Sequence, residues 1–137
     1  MFVNPDDRTI CAMLEAVKTI AVVGLSPRPA RPSHRIARAL QARGYRIIPV
    51  RPLVDEVLGE KACASLREID GKVDLVNVFR APDQIGSIVD DCLDLGLPRL
   101  WLQDGIVNEP QAERARSGGI EVVMDRCILR DLNALCR

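Results

Sequence analysis

Histidine is almost missing from this chain: His34 is the only one in 137 residues, which excludes most histidine-based metal cages. Cysteine is present but dispersed. Cys11, Cys63, Cys92, Cys127 and Cys136 are odd in number and form no CxxC pair, so neither a zinc knuckle nor a thioredoxin-type site is written here. No apolar run approaches the ~20 residues needed to span a bilayer. The start, Met1 to Asp7, lacks both the basic and the apolar region of a secretory signal. Net charge is lacking as well, since 19 Lys plus Arg balance 19 Asp plus Glu. That balance argues against a surface built for bulk nucleic-acid or membrane binding. The expectation is a reduced, cytoplasmic protein with one domain over residues 1–137, its core at about 15–127 with a flanking helix at either end.

What is there is an alternation of short apolar runs with helical periodicity. Residues 19–24, 46–50, 73–79, 99–103 and 120–124 read as strands rich in β-branched and aliphatic residues. Pro49 removes a donor from the second of these, so it belongs near a strand end or at a bulge. Pro32 to Arg43 predicts a helix with Ile36, Ala37 and Leu40 on one face, ended by Gly44. A helix starting at Pro82 carries Ile85, Ile88, Val89, Cys92 and Leu93 at the spacing of one buried face. Residues 109–116 form another helix, 65–69 a short one, and 6–17 and 130–136 the flanking pair. This order predicts an α/β fold: a Rossmann-like, open, parallel, five-stranded sheet with helices on both faces. Ligands of such sheets sit at the carboxyl ends of the strands, where strand order reverses.

The zero net charge hides a segregation along the chain. No Asp or Glu occurs from Ala16 to Val54, a stretch that holds Lys18, Arg28, Arg31, Arg35, Arg38, Arg43, Arg46 and Arg51. Its local balance is +8, and the remaining residues carry eleven positives against nineteen negatives, or −8. The basic stretch contains the first strand-to-helix turn, a natural place for an anion.

That turn, Gly24-Leu25-Ser26-Pro27-Arg28-Pro29-Ala30-Arg31-Pro32-Ser33, is neither a P-loop nor a GxGxxG fingerprint. Three prolines stiffen it. Two readings stand side by side. Ser26, Ser33, Arg28, Arg31 and the helix N–H groups form a phosphate cradle, or Ser33 caps the helix and the prolines shape a turn. The second strand narrows the ligand class. An NAD site usually ends it with an acid that bonds the ribose 2′-hydroxyl, whereas here Val50 is followed by Arg51 and Pro52. A cation there suits a phosphorylated ribose, as in NADP or the 3′-phospho-ADP of coenzyme A.

The ordered set Val23-Gly24-Leu25-Ser26-Pro27, Arg31-Pro32-Ser33, Gly44 to Val50, Val57 to Glu60, Val78-Phe79-Arg80, Trp101-Leu102-Gln103, Gly105 to Asn108 and Val123 to Cys127 resembles the small bacterial and archaeal CoA-binding proteins. That family is similar to the CoA-binding Rossmann domain at the N-terminus of succinyl-CoA synthetase α subunits. The resemblance implies coenzyme A as the cofactor. It puts Gly24, Ser26, Arg28 and Ser33 at phosphates and Arg51 with Pro52 beside the adenosine. Phe79, Arg80, Gln103, Gly105 and Asn108 are its candidates for the pyrophosphate or pantetheine. Where many members continue Asp-Arg-Cys with Pro-Lys, this chain reads Ile128-Leu129-Arg130.

The function expected from the whole is a non-catalytic module that binds CoA or acyl-CoA at the strand ends. The alternatives are an NADP-dependent oxidoreductase or an acyl-CoA-handling enzyme, and then a scaffold whose basic loop meets an acidic protein. One sheet leaves little room for a reductase's substrate, and His34 lies in the wrong segment for the phosphohistidine of a ligase. His34 reads as a surface or packing residue rather than a phosphate donor, and Trp101 as core. Cys127 reads as a small buried hydrophobe rather than a thiol that meets the CoA sulfur. Asp104 and Asp125 read as turn or cap residues rather than general bases.

Overall fold

The computed structural model describes residues 1–136. In chain order the elements are α1 (Asp7–Ala16), β1 (Thr19–Val23), α2 (Pro32–Ala42), β2 (Arg46–Val50), β3 (Glu56–Val57), β4 (Glu60–Lys61), β5 (Leu75–Val78), α3 (Ile85–Leu95), β6 (Arg99–Leu102), α4 (Glu109–Ser117), β7 (Glu121–Met124) and α5 (Ile128–Leu135). Five strands form a parallel sheet in the order β2-β1-β5-β6-β7, and β3 pairs antiparallel with β4 in a small hairpin. Alternate residues of each strand feed opposite cores. Ala21, Val23, Val76, Val78, Leu100 and Leu102 meet α3 and α4, while Ile20, Val22, Leu75, Trp101 and Val123 meet α1, α2 and α5. Both faces are covered, which is why the strands are apolar throughout rather than alternating.

Pro49 pairs in register with Val22 inside β2, with no bulge. Its missing N–H does no harm because residues 49 and 51 turn their backbones outward, away from β1. There the Pro49 carbonyl accepts from Cys63 N–H at 2.9 Å, and Arg51 N–H donates to the Cys63 carbonyl at 2.8 Å. This single parallel bridge beyond β2 gives the sheet a one-residue outer strand, and with it the strand order of a dinucleotide-binding sheet.

Element boundaries differ from the sequence reading in three places, each for a local reason. The helix expected from Pro82 opens as a 3-10 turn over Pro82–Gln84 before α3 begins. Residues 66–68 form only a 3-10 turn. The last helix starts at Ile128, two residues early, because Gln103 Oε1 accepts its first N–H at 3.1 Å. The cysteines need a larger correction. Cys11 and Cys136 are joined by a disulfide with Cα atoms 5.4 Å apart, while Cys63, Cys92 and Cys127 are free. The pairing arises because α1 packs against α5, a contact between the two ends of the chain that cysteine spacing does not reveal.

At the amino edge of the sheet, one Asp74 carboxylate oxygen accepts from both Lys18 and Thr19 N–H at 3.0 Å. Burial pushes this carboxyl up, but the two backbone bonds, with Lys72 nearby, outweigh it and hold it below the usual 3.8. A folded-state value below the unfolded one contributes stability that is complete above the unfolded value and lost as pH falls through the folded one. Asp74→Ala strands both N–H groups and should cost about 1–3 kcal/mol at neutral pH. Asp74→Asn keeps an acceptor, so it should cost less and flatten the decline in stability below about pH 4. Urea unfolding of the three proteins from pH 7 down to pH 3 checks both expectations.

Candidate functional site

The sheet order reverses between β1 and β5, so the loops after these strands part and leave a crevice at the carboxyl edge. Gly24 opens the first loop. Its φ is +85°, and a Cβ there would lie 2.4 Å from the Phe79 carbonyl oxygen, so only glycine fits between the two loops. Gly24 N–H donates to the Val50 carbonyl at 2.8 Å, and Phe79 N–H to the Val23 carbonyl at 2.8 Å. The backbones after β1, β2 and β5 are thereby bound to one another at the crevice.

Ser26 and Ser33 organise the loop. Ser33 Oγ accepts Ser26 N–H at 3.0 Å, and Ser26 Oγ accepts Arg28 N–H at 3.1 Å. Each hydroxyl is used as an acceptor and keeps its own proton for donation. Ser33 is therefore not the helix cap that one reading of the sequence made it. Arg31 holds that position without a side-chain cap, and Pro32 starts the helix. His34 is buried, and its Nδ1 donates to the Ser26 carbonyl at 2.9 Å. It pins the loop from below, a packing residue rather than a surface one.

The loop borders a cleft of about 720 Å³ lined by Gly24, Ser26, Pro27, Arg28, Arg31, Pro32, Ser33, Arg51, Pro52, Leu53, Val54 and Phe79. None of the eight basic residues between Lys18 and Arg51 takes part in an ion pair among the described residues. Outside that stretch Arg67, Arg99, Arg114, Arg116, Arg126 and Arg130 all do. Three uncompensated guanidinium groups therefore face one cleft, at the positive end of α2. Arg51 is steadied by a long bond, 3.3 Å, from Nη1 to the Gly24 carbonyl.

A second cleft of about 480 Å³ adjoins the first and shares Pro32 and Phe79 with it; Ile36, Arg80, Gln103, Asp104 and Ile106 complete its lining. The structure thus brings Gly24, Ser26, Arg28, Ser33, Arg51, Pro52, Phe79, Arg80 and Gln103 to two adjoining clefts. Gly105 and Asn108 line neither. Gly105 makes a turn at φ +79° and donates its N–H to Asp125 at 2.7 Å. Asn108 caps α4 by accepting Gln111 N–H, and its Nδ2 donates to the Pro82 carbonyl at 3.0 Å. These are fold-holding roles, and the backbone geometry that assigns them is invisible in residue type alone.

Pro27, Leu53, Val54 and Ile36 line the clefts without having been singled out as ligand contacts. Leu53 had a signal to offer: an apolar residue beside Pro52 and ahead of an acidic pair. It stands fully exposed at φ +63°, a conformation rare for a side-chain-bearing residue. Asp104 is held bidentately by Arg130 at 2.8 Å; this bond, opposed by slight burial, keeps its carboxyl below the usual range. Trp101 is core, its Nε1–H donating to the Arg126 carbonyl at 2.8 Å. Cys127 is buried at the start of α5, in keeping with a packing residue.

Comparison with known proteins agrees with this geometry. The uncharacterized protein YneT of Bacillus subtilis (strain 168) is 47% identical over 125 residues, 91% of this chain and 93% of that one. The solved structure of cell-free ID.343 from Thermus thermophilus matches with a TM-score of 0.91 at 37% identity, over 96% of this chain and 99% of that one. A dinucleotide forming acetyl-coenzyme A synthetase 1 from Ca. Korarchaeum cryptofilum matches with a TM-score of 0.68 at 27% identity, over 77% of this chain but only 25% of the synthetase. The high structural overlap establishes the Rossmann-like α/β sheet, and no helix among the described residues is long and apolar enough to cross a membrane. Residues 18–133 match the family described as CoA binding domain, and the chain belongs to that family.

Proposed function

We propose that this chain, acting as one domain, binds coenzyme A or an acyl-CoA and that binding is its activity. The observation that carries the reading is the set of Arg28, Arg31 and Arg51, three cations without carboxylate partners among the described residues, around one cleft at the strand ends. An anion with several separated phosphates compensates them all, and the family to which the chain belongs favours CoA as that anion. In this reading Gly24, Ser26, Arg28 and Ser33 meet the pyrophosphate, Arg51 the 3′-phosphate, and Pro52 borders the adenosine. Phe79, Arg80 and Gln103 flank the pantetheine arm. Gly105 and Asn108 support the loop that carries Gln103.

The reading places the protein in the cytoplasm. A reducing compartment opens the Cys11–Cys136 cross-link, and α1 and α5 then remain joined through Ile10, Leu14 and Leu132 of their shared core. Calorimetric titration of the nucleotide-stripped protein with CoA, 3′-dephospho-CoA, NADP and NAD tests the proposal. The expected result is binding of CoA that weakens about tenfold without the 3′-phosphate. Binding of NADP with no response to CoA would overturn it in favour of a reductase. Silence from all four would overturn it in favour of a scaffold for an acidic protein.

A further inference from the structure

Three of the described residues other than glycine lie in the left-handed region: Leu53 at φ +63°, Leu58 at φ +56° and Asp125 at φ +60°. Two of them are compensated within the chain. Asp125 accepts Gly105 N–H at 2.7 Å. Leu58 packs against the core of α1, α2 and α5, and its carbonyl accepts from Gln41 Nε2 at 3.1 Å. Leu53 is not compensated. It forms a turn with Pro52, at the position where glycine or asparagine is the usual choice. Its side chain stands fully exposed and packs against neither core among the described residues. Val54, the next residue, is half-buried against the core that holds Leu58, so the turn is anchored while the leucine is presented.

A leucine at this position strains the backbone and gains nothing from packing in the unliganded chain. A local rule broken without compensation inside the fold marks a side chain whose contact lies outside it. Leu53 is on the wall of the arginine-lined cleft, two residues beyond Arg51. Resting on the CoA reading, in which Arg51 meets the 3′-phosphate, we propose that Leu53 is an apolar clamp for the adenine base and that the free protein is less stable for having it. The base is the group joined to the ribose that carries the 3′-phosphate, whereas the pantetheine arm leaves from the far side of the pyrophosphate. A purine is polar at its edge and apolar on its two faces. Covering one face with a leucine removes apolar area of both partners from water.

The test pairs urea unfolding of the unliganded full chain with calorimetric titration of CoA and of adenosine 3′,5′-bisphosphate, for the parent, Leu53→Gly and Leu53→Ala. Leu53→Gly should unfold at or above the parent's urea midpoint, because glycine takes the left-handed conformation freely. Its affinity should fall about tenfold for both ligands. Leu53→Ala keeps the strained backbone and lacks the contact, so it should lose as much affinity at a midpoint close to the parent's. A clear fall in the Leu53→Gly midpoint overturns the proposal, because the leucine would then support the fold. Parental affinity in Leu53→Ala overturns it as well, assigning any loss in the glycine variant to a loosened turn, and leaves the CoA reading standing. A loss confined to CoA moves the contact to the pantetheine arm and overturns the base assignment. Absence of binding of either ligand to the parent overturns the CoA reading and the clamp together.

Discussion

Gly24→Ala is expected to destabilise the protein by roughly 2–5 kcal/mol, the sum of two separable effects. The first is conformational, since Gly24 lies at φ +85°, where a Cβ crowds its own backbone at a cost of about 1–2 kcal/mol. The second is steric. The new methyl would lie 2.4 Å from the Phe79 carbonyl oxygen and 3.2 Å from its carbon. That neighbour is backbone, so it yields only if the loop after β5 moves. Gly44→Ala isolates the first effect, because Gly44 has φ +99° and nothing within 4 Å of its added Cβ. Urea unfolding should therefore rank Gly24→Ala well below Gly44→Ala, with Gly44→Ala close to 1–2 kcal/mol below the parent. Equal losses in the two variants would mean that the loops are free to part, and that Gly24 is a turn residue only. Because Phe79 lines both clefts, the displacement should also weaken ligand binding at temperatures where the variant stays folded.

The sheet was legible in the sequence because each main strand is an apolar run bounded by a helix signal. Thr19 to Val23 and Arg99 to Leu102 announce themselves in this way. The hairpin of Glu56–Val57 and Glu60–Lys61 was not legible, since a two-residue strand has no periodicity to detect. The same holds for the Cys63 bridge, which completes the strand order through one residue. In the site, charge was legible and roles were not. The acid-free stretch from Ala16 to Val54 supplies the three arginines that line the first cleft. Only geometry distinguishes Ser33, which braces the loop, from Arg31 at the true helix cap. Asn108 was a candidate through the resemblance, and its amide is taken up by backbone groups of residues 82 and 111. Ile36 looks like an ordinary helix-face residue in sequence, and the structure puts it with Ile106 on the lining of the second cleft.

Arg51→Ala is expected to weaken CoA binding about tenfold or more, and to leave 3′-dephospho-CoA binding nearly unchanged. Arg51 follows β2 directly, and its backbone is anchored outward to Cys63. The anchored backbone leaves its side chain at the cleft, where the only bond it makes among the described residues is the 3.3 Å contact with the Gly24 carbonyl. A ligand phosphate can replace that long, neutral-acceptor bond with a shorter, charge-assisted one. The loss on truncation should therefore be dominated by the ligand rather than by the fold, and thermal unfolding of the unliganded variant should differ little from the parent. Arg51→Lys keeps the charge but not the fork, so it should recover part of the affinity and none of any two-pronged geometry. Salt supplies an independent check, because a contact between charges at an open cleft weakens as ionic strength rises. The parent's preference for CoA over its dephosphorylated form should shrink between low and high salt, and Arg51→Ala should show no such dependence. A variant that still distinguishes the two ligands would move the 3′-phosphate to Arg28 or Arg31, the remaining unpaired cations of the cleft.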